Sequence, residues 1–173
     1  DADGDREIGV AGSCWYSVFQ FDENDGHSFK RYAMAQTKDW SSASTGSTVF
    51  DFNGDDAAHI VFEDERALYV WRLDSAAGLN PWQRLVEVMR DDSHKSWTIH
   101  EYPLVADVDN DGKAEILVTN SYLPGYEDIY GIYVLGAAND DWVSARTVWP
   151  QHAYYVTNGD EQFGLGYTAP NYA

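Results

Sequence analysis

The chain has 173 residues, enough for one ordinary core, and carries 29 acidic against 11 basic side chains, a formal net charge of −18. That sign sets the chain against nucleic acid as a partner, and the single cysteine, Cys14, rules out an intrachain disulfide. No apolar run approaches the length of a membrane-spanning helix, so no membrane span is expected.

In chain order, an acidic phrase at 1–7 leads into expected strands at 7–11 and 15–21. Cys14 lies in an apolar, aromatic stretch and is expected to be a small buried hydrophobe. A polar hairpin turn at 22–26 precedes a strand at 29–36. A connector rich in Ser and Thr at 41–46 leads to a strand at 47–50 and a second acidic phrase at 51–59. Strands at 59–63 and 67–73 follow. The segment 82–89 has no clean period and fits a strand or a short helix, and the repeat argues for strand. A turn at 91–95 and a strand at 103–106 lead into the third acidic phrase, 107–115. Further strands are expected at 116–120, 131–135 and 142–149, with an excursion at 121–128. No convincing helix is expected, and the tail from 158 to 173 is expected to be irregular.

The third phrase, Asp107-Val108-Asp109-Asn110-Asp111-Gly112-Lys113-Ala114-Glu115, places carboxylates at loop positions one, three, five and nine, with glycine at six. Oxygen ligands at that spacing wrap a hard cation, and Ca2+ takes six to eight oxygens in a flexible shell. The flanks are β-prone, so the loop joins strands and is not an EF-hand. The bland alternative is a solvated Asp-Gly turn. The second phrase offers Asp51, Asn53 and Asp55, with Ala57 at the carbonyl position. There Asp56 replaces the glycine and His59 the ninth carboxylate. Two readings stay open: a weak cation site, or a metal-free loop held by its own hydrogen bonds. The first phrase offers Asp1, Asp3, Asp5 and Glu7, with two residues fewer in the loop.

The phrases begin at 1, 51 and 107, and such a period in an all-β chain means repeated four-stranded units, as in propeller blades. The phrase 106–116 resembles the calcium loop of FG-GAP or VCBS repeats, the units of integrin-α-type β-propellers. The resemblance covers the chain up to about residue 160, and the stretches 45–55 and 146–158 look like bacterial secreted members. It implies about three blades over 1–157, with a tail at 158–173. It also implies cation loops at 1–7, 51–59 and 107–115 that rigidify blades without doing chemistry. Lys113 would supply its backbone carbonyl. Three blades leave sheet edges open, so other polypeptide, as further blades or identical subunits, is the expected partner.

The resulting expectation is an extracellular, calcium-stabilised module for binding or assembly. The rivals are a part of a secreted polysaccharide-active enzyme and a carbohydrate-binding lectin. For the enzyme, no catalytic motif is present, and His152 reads as a structural histidine. For the lectin, the best residues are Tyr122, Tyr126, Glu127 and Asp128.

Overall fold

The computed structural model describes residues 6–22 and 28–149. Its architecture is all-β, three antiparallel sheets that do not close into a ring. The first contains β1 (Glu7–Ala11), β2 (Trp15–Asp22) and β3 (Ser28–Gln36) in the order β1-β2-β3. The second contains β4 (Ser47–Phe50), β5 (His59–Glu63), β6 (Leu68–Leu73) and β7 (Leu85–Asp91) in the order β4-β5-β6-β7. The third contains β8 (Leu104–Ala106), β9 (Glu115–Asn120) and β10 (Gly131–Leu135), with β9 in the middle.

The second sheet is the centre of the packing, and its sequence shows why. Side chains alternate across a strand, and here both faces of that alternation are apolar. Ile60, Phe62, Tyr69 and Trp71 join Tyr16, Val18 and Ala33 of the first sheet in one core cluster. Val61, Leu68 and Val70 join Val105, Ile116 and Val118 of the third sheet in another. All five residues of β5 are therefore buried. Several aromatic rings pack together here: Tyr16 lies 5.1 Å from Phe62 and 5.3 Å from Trp71, and Tyr69 stacks on Trp71 at 4.9 Å. Each such pair adds about 0.5–1.5 kcal/mol beyond its buried area. The Tyr16 hydroxyl crosses over Gly9 to reach Ser47 Oγ at 2.7 Å. A Cβ on Gly9 would sit 2.0 Å from that hydroxyl oxygen, so only glycine fits beneath it.

The structure departs from the sequence-based expectations in three places. Residues 81–84 form a one-turn helix, α1 (Pro81–Arg84), before β7 begins. Asn80 caps it by accepting from Trp82 N, Gln83 reaches back to Asn80 N, and Pro81 has no amide to orphan. The expected strand at 142–149 is absent. Its backbone bonds instead go to loops: Val143 N donates to Phe52 O at 3.0 Å, Val143 O accepts from Ala114 N at 3.1 Å, and Arg146 O accepts from Asp107 N at 3.0 Å. Cys14 is half-buried, not fully buried, with Ser13 Oγ 3.7 Å from its sulfur. The turn at 23–26, His152 and the tail at 158–173 lie outside the described residues.

Among the described residues no helix is long and apolar enough to cross a membrane. Large exposed apolar side chains include Trp40, Trp82 and Tyr130, so not every aromatic packs between faces.

Candidate metal centre

The loops at 51–57 and 107–113 each join the first two strands of a unit, β4 to β5 and β8 to β9. They share a backbone design. Position four is left-handed in both, Gly54 at φ 72° and Asn110 at φ 64°, and so is position six, Asp56 at φ 68° and Gly112 at φ 87°. Glycine adopts that conformation freely, and Asx residues are the side chains that tolerate it best. The glycine and the Asx residue have traded places, which is how Asp56 stands where the spacing calls for glycine. The closing bonds also match. Asp51 Oδ2 accepts from Asp56 N at 2.9 Å, and Asp107 Oδ2 from Gly112 N at 3.0 Å. Asp55 Oδ1 accepts from Ala57 N at 3.0 Å, and Asp111 Oδ1 from Lys113 N at 2.8 Å.

The loops part at the oxygens left over. In the second loop Asp51 Oδ1 also accepts from Gly54 N at 2.8 Å and Asp55 N at 3.3 Å. Asn53 Nδ2 donates to Asp55 Oδ2 at 2.9 Å. Those two carboxylates are committed to the loop itself, and the backbone bond from Ala57 and the amide of Asn53 hold the exposed Asp55 carboxyl below the usual carboxylate range. His59, at the ninth position, is buried edge-on to Phe52 at 5.7 Å. In the third loop Asp107 Oδ1 is buried and accepts no hydrogen bond. Carboxylate oxygens of Asp107, Asp109 and Glu115 lie within 4.8 Å of one another, the one such acidic group among the described residues. Glu115 and Asp107 are buried and Asp109 is exposed, so the group opens outward at one side. Glu115 Oε2 is fixed by Val108 N at 2.9 Å.

A buried carboxylate oxygen without a donor is unfavourable by itself, because ionised groups lose strong hydration on burial. With Asp109 and Glu115 alongside, Asp107 completes a set of three carboxylates that fits a hard cation. Asp111, exposed and bonded to the Lys113 amide, stands outside that group of three. Glu7 opens β1 as a half-buried residue with Oε1 buried, while Asp1, Asp3 and Asp5 lie outside the described residues.

Two of the four residues named for a saccharide make contacts within the chain. Tyr126 is the ring under two cations, Arg66 Cζ at 5.4 Å and Lys95 Nζ at 5.3 Å from its centroid. Glu127 accepts from Gly125 N at 2.9 Å, which keeps its exposed carboxyl below the ordinary range, and Tyr122 and Asp128 are exposed.

Sequence reasoning missed a polar junction at the ends of the sheets. It unites the connector 37–46, the β5–β6 turn, the segment 92–101 and the end of β9. Asp39, Glu63, Asp64, His94, Ser96 and Thr98 are all fully buried there. These residues are polar and distant in the chain, so no local pattern flags them.

No protein-family model matches the chain, and no curated protein matches it. Among solved structures, the crystal structure of the V. cholerae biofilm matrix protein Bap1 is similar in fold, with a TM-score of 0.66 at 21% identity. The similarity covers 89% of this chain, which spans only 23% of that protein's length.

Proposed function

We propose that this chain is a calcium-stabilised β-propeller module of the FG-GAP/VCBS kind, acting outside the cell in binding or assembly within a surface or matrix protein. The observation that carries the calcium reading is the buried Asp107 carboxylate, grouped with Asp109 and Glu115 and keeping Oδ1 without a hydrogen bond. The blade reading is supported by the way the strands align on the loops. Taking each loop as the start of a unit's second strand, β1-β2-β3 corresponds to β5-β6-β7, and β8-β9-β10 to β4-β5-β6. Each three-stranded sheet is then a four-stranded unit short of a different outer strand among the described residues. The fold likeness to a part of a biofilm matrix protein supports the structural role. In this reading the cation holds a loop closed and performs no chemistry, and a neighbouring polypeptide covers the open sheet edges.

Calcium in hundredfold excess over its dissociation constant adds about 2.7 kcal/mol to folding. The Tm of calcium-loaded protein is expected to fall on adding EDTA and to recover with calcium but not magnesium. A sample shown to hold calcium whose melting curve is untouched by EDTA would overturn the calcium reading.

A further inference from the structure

The polar junction contains five carboxylates whose hydrogen bonding can be compared directly. Asp39 accepts from Thr98 Oγ1, from Ser42 Oγ at 3.2 Å and from Thr45 N at 3.3 Å. Asp64 accepts from Lys38 N, Arg66 N, Ala67 N and the Tyr69 hydroxyl, all at 2.7–3.0 Å. Glu65 accepts from Ser41 N, and Glu101 from Ser96 Oγ, Ile99 N and His100 N. Donors of this kind stabilise the ionised form. Glu63 is the exception. Its side chain is fully buried at the end of β5, and neither oxygen has a hydrogen-bond partner. The group facing it is His94 Nε2, 3.5 Å from Oε2 and equally buried. That ring nitrogen already donates to Asp64 O at 2.9 Å, and His94 Nδ1 is buried without a partner. A bare Nδ1 lone pair is cheaper to bury than an N–H, so the neutral Nε2–H tautomer fits.

We propose that Glu63 and His94 form a buried proton-holding pair that keys the junction between the three sheets to pH. The pair keeps no net charge in the folded protein, with Glu63 carrying the proton and His94 neutral, and the junction loosens at alkaline pH, when Glu63 gives that proton up.

The location makes the pair consequential. His94 and its neighbours tie the sheets together. Lys95 N donates to Asn120 Oδ1 at 2.7 Å, Ser121 N to Lys95 O at 3.1 Å, and Ser96 N to Glu65 O at 3.3 Å. Lys95 Nζ is held by the carbonyls of Arg66, Asp92 and His94, not by a carboxylate. The charges around Glu63 push the same way as its burial, whereas those around His94 are divided. Burial, with Glu101 and Asp39 adding repulsion, raises the Glu63 carboxyl well above the usual carboxylate range. Burial lowers His94 below the ordinary imidazole value; the bond to Asp64 O and the carboxylates of Asp64 and Asp91 oppose this, and Lys95 reinforces it.

The sign follows from counting protons. In the unfolded chain the carboxyl titrates near 4.3 and the imidazole near 6.5. Glu63, raised in the folded state, contributes stability that is lost as pH rises through its folded value. His94, depressed, contributes stability that is lost as pH falls through its folded value. Between about 4.3 and 6.5 the two slopes cancel. Above about 6.5 the folded pair holds one proton more than the unfolded chain, so the unfolding equilibrium constant rises by up to about tenfold per pH unit.

The test is urea unfolding of the calcium-saturated protein from pH 6.5 to 9. Wild type is expected to lose stability along that range, and Glu63→Gln, neutral and of the same shape, to lose markedly less. Parallel profiles for the two proteins would overturn the proposal. Ring NMR of wild-type His94 gives a reading that needs no variant. A depressed titration midpoint supports the pair, and a midpoint at the ordinary imidazole value refutes it.

Discussion

At the scale of single residues, two loops with one backbone design differ in the oxygens they leave uncommitted. Asp51 spends both oxygens on amides of its own loop, whereas Asp107 keeps Oδ1 uncommitted beside Asp109 and Glu115. Glu115→Gln is therefore expected to weaken calcium binding by tenfold or more, since affinity follows the charge count of the ligands. Asn53→Ala is expected to leave that binding unchanged. Calorimetric titration of both variants checks the ranking, and equal effects would show that the second loop also serves a cation. The ligand residue types were legible from spacing, because carboxylate, glycine and strand boundaries are local features. Which oxygen stays free was not legible, because it depends on three-dimensional hydrogen bonding within each loop. Glu63 and His94 were invisible for a related reason. They lie 31 residues apart in the numbering, and only the meeting of a hairpin turn with a later connector sets them face to face.

At the scale of elements, the β-strands were readable where short runs of apolar, β-branched and aromatic residues stand between turn signals, as in β5, β6 and β9. The helix α1 carried its own signal in Asn80-Pro81-Trp82-Gln83, an N-cap, a proline at the first position and a capping-box glutamine. The repeat argument overrode that local signal and assigned strand. The stretch 142–149 failed in the opposite direction. Its aromatic and β-branched residues suit a strand, but its bonding partners are the acidic loops at 51–57 and 107–115. Between the first and second sheets, Phe62 is fully buried against Tyr16 and Trp71. Phe62→Ala should lower stability by about 3–5 kcal/mol, the usual range for emptying such a site. The urea midpoint measures it. A loss under about 1 kcal/mol would mean that the two sheets do not share a tight core.

At the scale of the whole molecule, the acidic surface and the open edges pull against each other. The edge strands β1 and β10 expose Ile8, Val10, Ile132 and Val134, alternate residues of the kind that pair with added strands. A net charge of −18 repels a second copy, and salt screens that repulsion within about 10 Å at 0.1 M. If these edges carry the proposed assembly, association should strengthen with ionic strength, and Ile132→Lys should reduce it. Light scattering across a salt series reads both effects, and an association indifferent to the substitution would place the contact elsewhere. Val143 adds one more consequence. Its amide holds Phe52 of one loop, its carbonyl holds Ala114 of the next, and its methyl would lie 3.2 Å from a Cβ on Gly54. One peptide unit without regular structure thus acts as a rivet through two hinges. A shift of the loop at 107–115 is therefore expected to strain the loop at 51–57 through this one peptide unit, whether or not the second loop holds an ion.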